Sequence, residues 1–236
     1  MIGKIAILLI PLFLLESCLG DPDPLPESID TFQYYYNYLM EDYDLQWEID
    51  ETIIGSGHSY GIPAQAIFAL HEPEQEVLIQ SRNSENEMLI DSLSHTLYEN
   101  GAYMIALMGT EQEPHLICEP MDPRRPSAGM VKLRFLHTAE AMGPVDIYIG
   151  GDQPEDLVLA AIDFTHVSDY FESTQQQLWT SVIVTPAGSL PADSSILEYT
   201  ANNIFETGLI HLCILEHESN SVESSFQIQV HDDPVY

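Results

Sequence analysis

A period of two constrains this chain more than any other feature. GAYMIAL (Gly101–Leu107) sets Tyr103, Ile105 and Leu107 on one face. VKLRFLHT (Val131–Thr138) groups Val131, Leu133 and Phe135, with Lys132 and Arg134 opposite. VDIYIG (Val145–Gly150) aligns Val145, Ile147 and Ile149, and LWTSVIVT (Leu178–Thr185) reads the same way. SFQIQVH (Ser225–His231) sets Phe226, Ile228 and Val230 against Gln227 and Gln229. Side chains alternate across a strand, so such runs are half-buried strands, and turn residues every dozen or so positions mark their ends. No long segment has helical period. The expected class is all-β, built as sandwiches.

The pattern also occurs twice. Tyr34–Leu39 matches Leu133–Thr138 as an opening strand, and Leu45–Asp50 matches Val145–Gly150. Leu97-Tyr98-Glu99-Asn100-Gly101 lies opposite Ile204-Phe205-Glu206-Thr207-Gly208, each glycine opening an apolar strand. Between the halves runs the Pro-rich stretch Glu119–Met130. The expected parse is a first domain over 31–118, a linker over 119–130 and a second domain of the same fold over 131–236.

The second half carries KLRFLHTAEAMGPVDIYIGG, then HVSDYF and TPAGS. This resembles the bacterial envelope family known only as domain of unknown function 4397, with His137, Pro144, Val145, Asp146, Tyr148, Ser168 and Tyr170 on its pattern. In the first half Asn37, Trp47, Ser59 and Asn100-Gly101-Ala102-Tyr103 match, while the early loop lacks the proline. The resemblance implies tandem immunoglobulin-like β-sandwiches on the cell envelope, and no activity.

At the N-terminus a short basic start (Met1–Lys4) precedes the apolar run Ile5–Leu15. That run is shorter than the ~20 residues a spanning helix needs, and suits a signal peptide. It ends in Leu15-Glu16-Ser17-Cys18, which resembles the bacterial lipobox, although Glu16 stands where a small uncharged residue is usual. The resemblance implies cleavage between Ser17 and Cys18 and lipid, palmitate included, on Cys18. Residues 1–17 are then a signal peptide and 18–30 an acidic Pro-rich tether, extended by Pro22, Pro24 and Pro26. Leu19, in place of the aspartate that retains lipoproteins at the inner membrane, implies the outer membrane.

Six Lys and Arg face 38 Asp and Glu, a net charge of −32, and loss of Lys4 and Glu16 with the signal peptide leaves that balance unchanged. Such a polyanion repels phosphate backbones and excludes nucleic acid as a partner. The expected partners are the membrane, through the lipid anchor, and an envelope protein or glycan. Cys118 and Cys213 are either one disulfide or two buried thiols.

Gly57-His58-Ser59-Tyr60-Gly61 matches the G-x-S-x-G nucleophile elbow, which would make Ser59 the nucleophile of an envelope serine hydrolase. The elbow needs several βα units before it, and here only a tether and a strand or two precede. The repeat gives a plainer account, since Ser59-Tyr60 falls opposite Ser168-Asp169-Tyr170. Acidic clusters at Glu41–Asp44, Asp152–Asp156 and Asp232-Asp233 offer oxygens to Ca²⁺, the basis of an alternative reading as a Ca²⁺-dependent adhesion or assembly module, but none has EF-hand spacing. His211 and Cys213 share a strand face without zinc spacing. Of the tyrosines in Phe32–Tyr38, Tyr34, Tyr36 and Tyr38 share one face and Tyr35 the other, so one face is core and the other is free to bind. No motif asks for a cofactor, and no catalytic or metal residue is assigned. The expectation is a non-catalytic binding or structural module.

Overall fold

The computed structural model describes residues 29–40, 43–200, 204–217 and 226–233. Ser17, Cys18 and the tether lie outside the described residues. The chain is β-rich throughout. The first eight strands are β1 (Ile29–Leu39), β2 (Leu45–Ile49), β3 (Thr52–His58), β4 (Ala64–Leu70), β5 (Glu74–Asn83), β6 (Leu89–Tyr98), β7 (Ala102–Gly109) and β8 (Pro114–Pro120). They form two sheets, sheet one in the order β4-β1-β7-β8 and sheet two in the order β3-β2-β5-β6.

The remaining strands are β9 (Met130–His137), β10 (Val145–Ile149), β11 (Leu157–Ile162), β12 (Phe171–Thr174), β13 (Val182–Pro186), β14 (Leu197–Tyr199), β15 (Ile210–His217) and β16 (Phe226–Asp233). Sheet three has the order β12-β9-β15-β16 and sheet four β11-β10-β13-β14. Counted from the first strand of each half, the two orders are identical. Both halves have the layered architecture of immunoglobulin-like sandwiches, with a strand order of their own in which the opening strand runs parallel to the seventh, β1 to β7 and β9 to β15.

Each alternating run supplies one face of a core. Leu45, Trp47 and Ile49 meet Tyr35, Tyr103, Ile105 and Leu107 between sheets one and two. Val131, Leu133 and Phe135 meet Val145, Ile147 and Ile149 between sheets three and four. A third cluster joins the outer faces of sheets one and three, through Tyr34, Tyr36, Tyr38, Met104, Ala106 and Met108 on one side and Leu136, Leu212 and Ile214 on the other. The stack therefore has four layers, and its two central sheets are covered on both faces. This is why β7 and β15 are almost continuously apolar, since a strand buried on both faces has no polar side to show.

That packing corrects the reading of the tyrosines. Tyr35 points into the first core, and Tyr34, Tyr36 and Tyr38 are buried against sheet three, so the strand presents no free binding face. A second correction concerns Leu178–Thr185. Gln175–Thr180 forms a short helix, α1, and the strand begins only at Val182. Thr174 caps the helix by accepting from the Gln177 amide, and the Gln177 side chain returns to the Thr174 amide. Gly150 passes beneath this helix at φ +90°, where an added Cβ would press on Gln177 at 3.2 Å.

The Pro-rich stretch is strapped down. Lys132 Nζ reaches Asp122 at 2.8 Å and also donates to the carbonyls of Asp122 and Arg124. Arg134 donates to Pro120 O, and Met121 is buried among the residues joining sheets one and three. Hydrogen bonding from Arg124, then from Lys132, holds the Asp122 carboxyl well below the usual range against its partial burial. Cys118 lies in the first core and Cys213 in the second, and the two are not joined. Burial pushes the Cys118 thiol up to about 12, so it packs as a small apolar group.

Candidate functional site

The GHSYG segment is a strand-to-strand connection. It leaves the end of β3 at His58 and turns into β4, with no helix behind it. Ser59 Oγ donates to Asp44 Oδ1 at 2.6 Å. The loop is pinned on either side, by Asn37 Nδ2 donating to His58 O and by the Gly61 amide donating to Asn37 O. The His58 ring lies 6.5 Å from the Tyr35 ring, and burial lowers its pKa. Ser59 is thus a loop tie between two turns, and the serine-to-carboxylate bond has no imidazole within it. Replacing it removes one part-buried hydrogen bond to a carboxylate. Ser59→Ala is expected to cost about 1–2 kcal/mol of unfolding free energy, read by urea titration. An unchanged midpoint would contradict the tie.

The residues that carry the family resemblance in the second half also hold loops. Asp146 is nearly buried, and its two oxygens take the amides of Ala161 at 2.7 Å and Gly188 at 2.8 Å. Both donors sit at positive φ, so the carboxylate fixes two turns that would otherwise be strained or loose. His137 Nε2 faces Gly143 O at 2.8 Å while its Nδ1 accepts from the Ala139 amide, which assigns the neutral Nε2–H form. Burial lowers its pKa accordingly. Ser168 Oγ accepts from the Phe135 amide, and Tyr148 donates to Ser189 O. Lys132 and Arg134 each stand 4.7 Å from the centre of the Tyr170 ring.

The acidic clusters do not converge. Asp44 takes Ser59, Asp156 accepts from the Gln153 amide, and Asp232 lies 2.9 Å from His211 Nδ1. Among the described residues no group of three or more His, Cys, Asp or Glu comes together as a ligand set, and Glu41 and Asp42 lie outside them. His211 and Cys213 do share the inward face of β15, where the His211 ring packs on Phe205.

One polar cluster escaped the sequence reading, and it sits where sheets one and three meet. Tyr38 donates to Gln229 Oε1 at 2.6 Å, Gln229 Nε2 donates to Gly61 O, and Tyr60 donates to His217 O. Beside them Glu216, 2% exposed, accepts from Gln227 Nε2 at 2.6 Å through one oxygen, while its Oε2 is buried without a hydrogen-bond partner among the described residues. Burial pushes this carboxyl up to about 7, and the Gln227 bond opposes the shift. In IHLCILEH, Glu216 continues the face of Leu212 and Ile214, and a carboxylate on an apolar strand face is either solvated or covered. The cluster ties two layers together.

No known protein family and no curated protein matches the chain. Among solved structures, a carbohydrate-binding module of family CBM26 from Eubacterium rectale Amy13K, solved with maltoheptaose, is 12% identical with a TM-score of 0.24, covering 86% of this chain and 97% of its own. The fimbrial anchor protein Mfa2 from Porphyromonas gingivalis is 9% identical with a TM-score of 0.22, covering 88% and 100%. Likenesses at this level carry no argument about what the chain does.

Proposed function

We propose that this chain is a lipid-anchored bacterial envelope protein whose two sandwiches, residues 31–118 and 131–236, act as a non-catalytic binding or structural module. The observation that carries the reading is how the chemically suggestive side chains are used. Ser59, His137, Asp146 and Ser168 each hold a turn of the protein's own backbone or a neighbouring loop. Side chains committed in this way are not offered to a substrate, which weighs against the hydrolase alternative. The likeness to domain of unknown function 4397 points the same way. Leu15-Glu16-Ser17-Cys18 supplies the anchor, and Leu19 directs it to the outer membrane. The −32 charge keeps nucleic acid away and suits a cationic partner, and the partner is an envelope protein or a glycan.

Radioactive or clickable palmitate fed to cells making this protein is expected to label it. Cys18→Ser is expected to lose the label entirely and either leave the membrane fraction or accumulate as a longer precursor. Label retained on the Cys18→Ser protein would remove the anchor from this reading.

A further inference from the structure

Eight strands lie at sheet edges among the described residues: β4, β8, β3, β6, β12, β16, β11 and β14. An open edge exposes unpaired N–H and C=O groups and invites another chain, so proteins protect it with charge, proline, bulges, shortness or a cover. Seven of these edges carry such protection. β3, β6 and β11 are next to register shifts in their pairing. β8 begins and ends in proline, β14 is three residues long, and β16 ends in Asp232-Asp233. β12, the counterpart of β4 in the second half, carries Glu172, which is tied to the Pro-rich stretch by the Ser127 amide at 2.9 Å.

Among the described residues β4 has none of these devices. Its sequence AQAIFAL contains no charge and no proline, and it pairs with β1 at seven consecutive positions without a shift. Its outward side chains are exposed, Ile67 at 62%, and Ile62 just before the strand at 61%. Its inward side chains Ala64 and Ala66 are small and only partly buried at the side of the first core. Phe68 and Leu70 complete that inward face, Leu70 as part of the first core. A groove of about 570 Å³ runs along the outer side, lined by Phe32, Tyr34, Gln65 and Ile67 among others. In the turn just beyond Leu70 stands the exposed carboxylate of Glu72.

We propose that the free edge of β4 takes up an extended segment of a cationic partner protein as a fifth strand of sheet one. The segment runs antiparallel to β4, the commoner pairing. It carries apolar side chains at alternate positions and Lys or Arg at its N-terminal end, where it passes the exposed Glu72 on a chain of net charge −32. Main-chain hydrogen bonds supply the affinity, and the alternate apolar side chains and charged end supply the selection. A second copy of this chain is disfavoured, because it would bring another −32 of charge to the same edge. The proposal rests on the binding-module reading and deepens it by giving the partner's chemistry.

The test uses intact protein in non-ionic detergent and two synthetic peptides, KRKTVTVTV and EDETVTVTV. The basic peptide is expected to slow amide hydrogen exchange in Ala64–Leu70 at least tenfold and to bind at least tenfold more tightly than the acidic one. Ile67→Lys, at an exposed position, is expected to weaken that binding at least tenfold with the melting temperature unchanged. Val158→Lys, on β11, is expected to leave it intact. Equal binding of the two peptides overturns the charge assignment. Protection elsewhere, or none in β4, overturns the edge site. Protection of β4 without peptide that grows with protein concentration would assign the edge to a second copy. Failure here leaves the anchor labelling of Cys18 unaffected, so the two readings fall separately.

Discussion

Trp47→Ala is expected to lower the unfolding free energy by about 3–5 kcal/mol. Trp47 is fully buried at the centre of β2, its ring 5.1 Å from that of Tyr35, with Leu45 and Ile49 on the same face. Truncation removes the largest side chain of the first core and leaves a cavity lined by side chains that are held on hydrogen-bonded strands and cannot collapse far. Since a domain holds only about 5–15 kcal/mol in all, the first sandwich would stand near its unfolding threshold. Trp47→Phe is expected to cost much less. It keeps most of the apolar contact and removes an indole N–H that is buried without an acceptor among the described residues. Urea unfolding followed by near-ultraviolet circular dichroism reads both. A Trp47→Ala loss below about 1 kcal/mol would mean that this core is not what holds β2 to sheet one.

The second expectation concerns pH. Glu216 titrates at about 7 in the fold, above its ordinary 4.5, because burial disfavours the carboxylate. The folded protein therefore binds this proton more tightly than the unfolded chain does. Stability from Glu216 is complete below pH 4.5 and falls as pH rises to about 7, beyond which the penalty is constant. Tyr38, Tyr60, Gln227, Gln229 and His217 surround or border the group, and nearby negative charge helps keep the Tyr38 and Tyr60 hydroxyls protonated after burial has done most of it. Six histidines pull the other way. Burial lowers the pKa of His58, His95, His137, His211, His217 and His231, so their neutral forms are favoured in the fold and their contribution grows as pH rises towards 6.5. The informative quantity is thus the difference between the wild type and Glu216→Gln. The two are expected to be similar at pH 5, and the variant to be more stable at pH 8 by about 2 kcal/mol, after allowance for water at the edge of the interface. Parallel stability curves across that range would show that Glu216 ionises freely in the fold.

Much of this architecture could be read from the residues. The faces assigned to Val131, Leu133 and Phe135, and to Val145, Ile147 and Ile149, are the faces that meet in the second core. The matching of Leu45–Asp50 to Val145–Gly150 pairs β2 with β10, which hold the same place in identical strand orders. Period two, however, says that a strand has two faces and not what covers the second. One tyrosine face of Phe32–Tyr38 looked free to bind because nothing local announces sheet three, whose first strand lies about a hundred positions along the chain. The helix at Gln175–Thr180 is too short to establish a period, and its only mark is the spacing of Thr174 and Gln177. The serine of GHSYG was legible as a loop residue only because the repeat set it opposite Ser168. Glu216 was the readable clue left unread, a single carboxylate on an otherwise apolar face.

The parallel pairing of the first and seventh strands governs the order in which this protein can be built. Phe32 meets Ala102, about 70 residues later, and Lys132 meets Ile210 at a similar remove, so each closing step is a long loop closure that gains little until it is complete. During synthesis β1 has β4 on one side early, while its other edge waits for β7. A sandwich of this kind cannot set as its chain emerges. Its first strand keeps one edge open until the last strands arrive, so the sandwich closes late and all at once.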